Sequence, residues 1–195
     1  MTPFDRLRRY LEARATFGDA DLALIQRVFV ARALAAGEFL QRGGEAARVA
    51  AFVARGCLRS YVIDAGGKEH IVQFAPEEWW LADTASLATG APSQYFVDAI
   101  EDADVLLIDA AGHSTLVEQV PGYAAAFRTG LQRHAAAKDQ RIVSALATSA
   151  DERYAEFLRT YPAIASRVPQ WMLASYLGIT PETLSRVRRN AARGR

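Results

Sequence analysis

The sequence predicts an α+β chain: an N-terminal antiparallel β-domain of jelly-roll (double-stranded β-helix) or related sandwich type, one long helix, and a small C-terminal helical domain. Three observations predict it. Residues 28–108 consist of short apolar runs separated by turn residues, at the 8 to 12 residue spacing of sandwiches and barrels. After Pro121 apolar residues recur at helical period over some 25 residues. From Ser149 onward the chain carries helix caps and stops rather than strand signals. With 195 residues and 51% apolar content, it can bury one large core or two smaller ones.

The first elements are two helices. Phe4, Leu7 and Leu11 fall on one helical face, and Asp19 is placed to cap a second helix carrying Leu22 and Ile25. The β-region follows as VFVARAL, AAGEF, RGG, VAAFVARGCLRSYVI, DAGGKE, HIVQF, TGAPS, VDAI and DADVLLI. Its strongest local signal is DAGG between Tyr61-Val62-Ile63 and His70-Ile71-Val72. There Gly66 and Gly67 are expected to supply the positive φ that a tight hairpin needs. These elements make up a domain over residues 1–120.

Residues 121–148 are expected to form the long helix. Tyr123, Phe127, Leu131, His134, Ile142 and Leu146 mark its apolar stripe, interrupted by Gly130 alone. A small domain cannot cover so long a stripe, so pairing with the same helix of a second subunit is expected, packing within the chain being the alternative. Ser149 with Glu152 three residues on reads as a capping box. Tyr154, Phe157, Leu158 and Tyr161 follow before Pro162 stops the helix, and residues 149–195 form the last domain.

Composition narrows the function classes. A lone Cys57 can neither close an internal disulfide nor hold an iron–sulfur cluster. The start MTPFDRLRRYLEARA lacks an apolar leader region and no stretch reaches 18 apolar residues, so neither secretion nor membrane spanning is expected and the cytoplasm is the expected compartment. His70, His113 and His134 are scattered, which disfavours a metal centre or haem ligation. A cupin-type enzyme would need clustered His and carboxylate ligands. Without these, a Ser/His/Asp set or a Gly-rich phosphate loop, catalysis is not expected.

The formal charge of +1 is unevenly spread: residues 181–195 carry +4, five Arg against Glu182, leaving −3 for the rest. A local cationic segment on a mildly acidic body suits phosphate attraction, whereas a merely solvated tail is the alternative. Within it lies VPQWMLASYLGITPETLSRVRRN, residues 168–190. Trp171, Leu173, Ala174 and Leu177 read as a short apolar helix, Gly178 permits a tight turn and Ile179 anchors it. Thr180 caps the next helix with Pro181 at its first position. Leu184 and Val187 are expected inward, leaving Glu182, Thr183, Ser185, Arg186 and Arg189 outward. Arg reads guanine bidentately, Glu accepts from cytosine, and Thr or Ser serves phosphates or the thymine methyl. Double-stranded DNA is therefore the expected partner, with Thr180 and Arg188 completing the contact set.

Over residues 20–190 the chain resembles Crp/Fnr-type transcription regulators, most specifically in LASYLGITPETLSRVRR. The resemblance implies a cyclic-nucleotide-binding-like β-roll, a dimerisation helix and a C-terminal helix-turn-helix, with base-reading roles for Glu182 and Arg186. It also implies a homodimer, with RNA polymerase as a further partner. Pro181 stands where the family commonly has Arg, so the family's best-known operator does not carry over. The chain ends a few residues after this helix, so a C-terminal β-wing is expected to be truncated or absent. In the family, a Gly-Glu pair followed by Arg and a small hydroxyl residue hold the cyclic nucleotide. Here Ala82-Asp83 stand at the pair and Ser93-Gln94 at the Arg and hydroxyl positions. Without the phosphate-neutralising Arg, ordinary cyclic AMP binding is not expected. Trp79 and Trp80 should point to opposite faces of a strand. They serve either as core or, with Tyr95, as the lining of a pocket for a flatter or more apolar effector. Alternatives to a DNA-binding regulator with a degenerate cassette are a cyclic-nucleotide-responsive regulator with an atypical pocket, or a dimerisation module that no longer reads DNA.

Overall fold

The computed structural model describes residues 1–193, without the side chains of 133–138 and 193. Two compact units emerge. The first comprises Met1–Val62 and Val72–Leu131; the second comprises Ile63–Ile71 and the residues from Gln132 onward.

The first unit opens with helix α1 (Pro3–Glu12), set by a reciprocal cap between Thr2 and Asp5, and α2 (Asp19–Val28). Gly18, rather than Asp19, is the cap residue of α2, and Asp21 reaches back to its N–H. Among the described residues eight strands follow along the chain: β1 (Val30–Leu34), β2 (Phe39–Gln41), β3 (Val49–Arg55), β4 (Leu58–Ile63), β5 (Glu69–Ala75), β6 (Trp80–Leu81), β7 (Phe96–Ala99) and β8 (Ala103–Asp109). They form two four-stranded sheets with orders β1-β8-β3-β6 and β2-β7-β4-β5. In the first, Phe52 pairs with Leu106 and Val53 with Val105.

Strand alternation explains why β3 and β8 read as unbroken apolar runs. Val53 and Val105 point into the roll, where they meet Leu34, Leu58, Leu81, Val97 and Ala99 from both sheets. Phe52, Ala54, Leu106 and Ile108 point the other way, onto Leu7, Leu11, Ile25 and Phe29 of the N-terminal segment. Both faces are covered, and each such large side chain contributes about 1.5–3 kcal/mol of burial.

Two helices interrupt what the sequence predicts as β-structure or its boundary. Helix α3 (Thr84–Thr89) lies in the middle of the β-region, capped by the Asp83 carboxylate. Helix α4 (Ala110–Gln119), capped by Asp109, precedes the long helix α5 (Pro121–Ala147). Tyr123, expected on the dimer stripe, is instead buried in the first unit beside Leu116 and Val120.

The second unit contains the distal part of α5, α6 (Ala150–Thr160), α7 (Gln170–Leu177) and α8 (Pro181–Arg193). Ser149 and Glu152 form the expected capping box of α6. Turns, not strands, join α6 to α7, and among the described residues no strand follows α8. Tyr154, Phe157, Tyr161, Ile164, Leu173, Leu177, Leu184 and Val187 are buried. The hairpin turn 64–68 also belongs to this unit. Only Gly67 of its two glycines has positive φ (+82°). Asp64 closes the turn by accepting from Gly66 N and Lys68 N and pairing with His70 at 2.7 Å.

Candidate nucleic-acid interface and sensor cassette

Helix α7 ends at Gly178, which takes the left-handed conformation (φ +66°) that an L side chain adopts only with strain. The N–H of Ile179 returns to Ala174 O at 3.0 Å, so the chain reverses tightly. Thr180 then caps α8: its hydroxyl oxygen accepts from Thr183 N at 3.2 Å and its carbonyl from Leu184 N at 2.9 Å. Leu184 and Val187 are buried and hold α8 against the unit.

This fixes what α8 presents. Glu182, Ser185, Arg186 and Arg189 are exposed and recur at i, i+3, i+4 and i+7, one stripe along the helix. Arg188 is exposed but lies off that stripe. Thr183 is half-buried, with its hydroxyl 3.2 Å from that of Thr180, so it is partly engaged in the cap. The exposed Glu182 carboxyl is held below its ordinary pKa by its own backbone N–H and by the Thr180 hydroxyl. The stripe thus offers an anionic acceptor, a hydroxyl and two guanidinium groups.

Trp171, read as part of the apolar face of α7, is 44% exposed; Met172 takes the buried place. The sequence reading also missed three residues that hold α7. Ser175 donates to Glu69 O at 2.9 Å and accepts from Ile71 N at 3.0 Å. Arg141 donates to Tyr176 O and Ile71 O, and Arg153 to Leu177 O and Thr148 O. The signal that could have found the arginines is the rule that terminal helix carbonyls need donors.

The expected dimer stripe on α5 divides. Phe127 (40%), Leu131 (48%) and Ile142 (60%) are exposed, as are Val143 and Leu146. Tyr123 is not; buried among the first unit's helices, its hydroxyl meets His113 Nδ1 at 3.0 Å. Burial pushes the Tyr123 pKa up and the His113 pKa down. The side chain of His134 lies outside the described residues.

The residues expected around an effector do not gather into one pocket. Trp80 is committed to an aromatic cluster with Phe52 (5.2 Å), Phe29 (6.0 Å) and Tyr10 (6.4 Å), on the helix-covered face of the sheet. Trp79 packs against the inner core of the roll, so the adjacent tryptophans do take opposite faces. Ala82 and Gln94 are exposed. Asp83 and Ser93 do meet: the Ser93 hydroxyl donates to Asp83 Oδ2 at 2.7 Å and accepts from Tyr95 N at 3.0 Å. Asp83 Oδ1 accepts from Ser86 N at 3.1 Å. Both carboxylate oxygens are therefore used within the cassette. A cavity of about 200 Å³ is lined by Leu40, Gln41, Glu45, Ala46, Arg48 and Val49. It borders the cassette, since Ser93 N donates to Glu45 O at 2.9 Å and Ala46 bridges Pro92, but none of the expected residues is among its walls.

Comparison with known proteins accounts for the roll. Residues 31–120 match the cyclic nucleotide-binding domain. No curated protein matches the chain. Among solved structures, FixK2 from Bradyrhizobium japonicum is similar with a TM-score of 0.74 and 20% identity, over 86% of each chain. The c-di-GMP responsive global regulator CLP from Xanthomonas campestris has a TM-score of 0.72 and 12% identity, over 91% of this chain and 93% of that one. A transcriptional regulator assigned to the crp/fnr family from Eubacterium rectale has a TM-score of 0.66 and 18% identity, over 89% and 83%. At such identities the likeness is one of fold. It extends beyond the cyclic nucleotide-binding-type roll into the C-terminal helices. Among the described residues no helix is long and apolar enough to cross a membrane, and no three His, Cys, Asp or Glu side chains are grouped as metal ligands.

Proposed function

We propose that this chain is a dimeric, sequence-specific DNA-binding regulator of the Crp/Fnr type. The observation that carries the reading is α8 itself: capped by Thr180, seated by Leu184 and Val187, and exposing Glu182, Ser185, Arg186 and Arg189 in one stripe. That stripe combines phosphate attraction with groups that discriminate base edges in the major groove. Thr183, Thr180 and Arg188 flank it and serve the sugar–phosphate backbone. Pairing of α5 through Phe127, Leu131 and Ile142 would present two such helices to two half-sites. The fold shared with FixK2 and with the crp/fnr regulator supports this reading.

The roll's cassette supports regulation without an ordinary cyclic nucleotide. A cyclic phosphate needs a cation or several free N–H donors. Ser93 supplies a hydroxyl where a guanidinium would be required, and that hydroxyl is already engaged with Asp83 and Tyr95 N. These residues do not fit the group.

The test is binding to random duplexes across a salt series, followed by selection of bound duplexes from a random pool. The reading expects a steep negative log–log salt slope and an enriched two-fold-symmetric sequence. Absence of any salt-dependent binding overturns it. Adding cyclic AMP or c-di-GMP as probes to the selection should leave the enriched sequence and its affinity unchanged.

A further inference from the structure

The C-terminal turn of α7 is held by groups from three other elements, β5, α5 and α6. Strand β5 stands last in the order of its sheet, and its first residues, Glu69–Ile71, belong to the second unit. Ser175 on α7 meets them: its hydroxyl donates to Glu69 O at 2.9 Å and accepts from Ile71 N at 3.0 Å. A residue on a neighbouring parallel strand would serve the same two groups, the C=O and N–H two positions apart. Arg141 of α5 completes the join, donating to Ile71 O at 2.8 Å and to Tyr176 O at 2.9 Å, with its guanidinium 4.0 Å above the Tyr176 ring. From the other side Arg153 of α6 donates to Leu177 O at 3.1 Å. The three residues that precede Gly178 are thus each tied to a different element. All the groups involved belong to the second unit.

Gly178 follows directly, and after it the chain enters α8. The direction of α8 depends on how the end of α7 is held, because only the turn 178–180 separates the two helices. The stripe Glu182, Ser185, Arg186 and Arg189 remains exposed while these bonds are made, so the join leaves the reading face open. We propose that Ser175 and Arg141 are positioning residues for DNA reading: by pinning the end of α7 to the edge of β5, they set the angle at which α8 is presented. This rests on the DNA-binding reading above. The bonds are made to backbone groups, so the register of the join is set by strand geometry rather than by the side chains of residues 69 and 71.

The experiment compares the full-length protein with Ser175→Ala, Ser175→Thr and Arg141→Gln. Two quantities are read: hydrogen exchange at the Ile71 amide, and affinity for a duplex selected by the wild-type protein. Ser175→Ala should speed Ile71 exchange about tenfold and weaken the selected duplex about tenfold, as expected for two lost hydrogen bonds. Exchange at the Leu184 amide, inside the helix pair, should not change. Ser175→Thr keeps the hydroxyl and should restore both quantities. Arg141→Gln should weaken the duplex in the same direction, and it stands in if Ser175→Ala proves poorly folded. Faster Ile71 exchange with unchanged duplex affinity overturns the proposal, as does failure of Ser175→Thr to rescue. If the wild-type protein binds no duplex, the DNA-binding reading falls and this role falls with it. Ile71 exchange then still reports whether Ser175 closes the strand edge.

Discussion

Ser93 donates its hydroxyl to Asp83 Oδ2 across 2.7 Å, tying the loop before β7 to the cap residue of α3. The same hydroxyl oxygen accepts from Tyr95 N, so one hydroxyl orders both the carboxylate and the start of β7. Ser93→Ala removes a donor and an acceptor from a buried site. The expected cost is about 1–3 kcal/mol. It should appear as a lowered melting temperature in a thermal scan, with no gain of cyclic AMP binding by calorimetry.

A buried ion pair joins β4 and β7. Arg59 Nε and Nη2 donate to Asp98 Oδ1 and Oδ2 at 2.7 and 2.9 Å, with both side chains buried. Asp98→Ala removes the carboxylate that neutralises the buried guanidinium and should cost about 3–5 kcal/mol in urea unfolding. Replacing both partners, as Arg59→Met with Asp98→Leu, should recover most of that loss, because the desolvation cost of the pair disappears with it.

Arg186→Ala removes one of the two guanidinium groups on the exposed stripe of α8. Affinity for the selected duplex should fall by about 1–3 kcal/mol, with relaxed preference at one base position. Equal losses on selected and random duplexes in a gel-shift titration would assign Arg186 to phosphate instead.

Leu131→Asp with Ile142→Asp places charge on the exposed apolar residues of α5. Sedimentation should show a shift from dimer to monomer, and DNA affinity should drop with the loss of the second half-site. Tyr123→Phe, by contrast, should leave the association state unchanged, since Tyr123 is buried within the first unit.

His113 provides a pH signature. Burial lowers its pKa in the folded state, so the fold prefers the neutral ring. Above the ordinary histidine value near 6.5 both states are neutral and stability is independent of this group. As pH falls below that value the unfolded chain takes up the proton first and stability declines, until the folded ring protonates as well. Chemical unfolding between pH 7 and pH 5 should show the decline in the wild-type protein and a smaller one in His113→Gln, which keeps a polar partner for Tyr123.

The sequence by itself determined the elements whose signals are local. The caps at Ser149 and Thr180, the turn at Gly178 and the inward Leu184 and Val187 follow from hydrogen bonds and periodicity within a few residues, and they appear as read. The hairpin at 64–68 did so too, though with one positive-φ glycine instead of two. Helix α3 was not legible, because TASLAT is too short for a helical period to show and its cap, Asp83, reads equally well as a binding residue. Helix α4 was hidden for a similar reason, its apolar residues being few and adjoining the run of β8.

Tertiary structure alone decided which apolar faces find cover. Trp80 could have lined a cavity, but two N-terminal helices place Tyr10 and Phe29 against it. Tyr123 and Leu131 read alike on the α5 stripe, yet one is sealed by α4 and the other left exposed. Ser175 looked like any small helical residue until the edge of β5 came within 3 Å of its hydroxyl. The physical reason is common to all three. Period and propensity specify which face of an element is apolar or polar, but the partner for that face comes from residues far along the chain, and only folding brings them into contact.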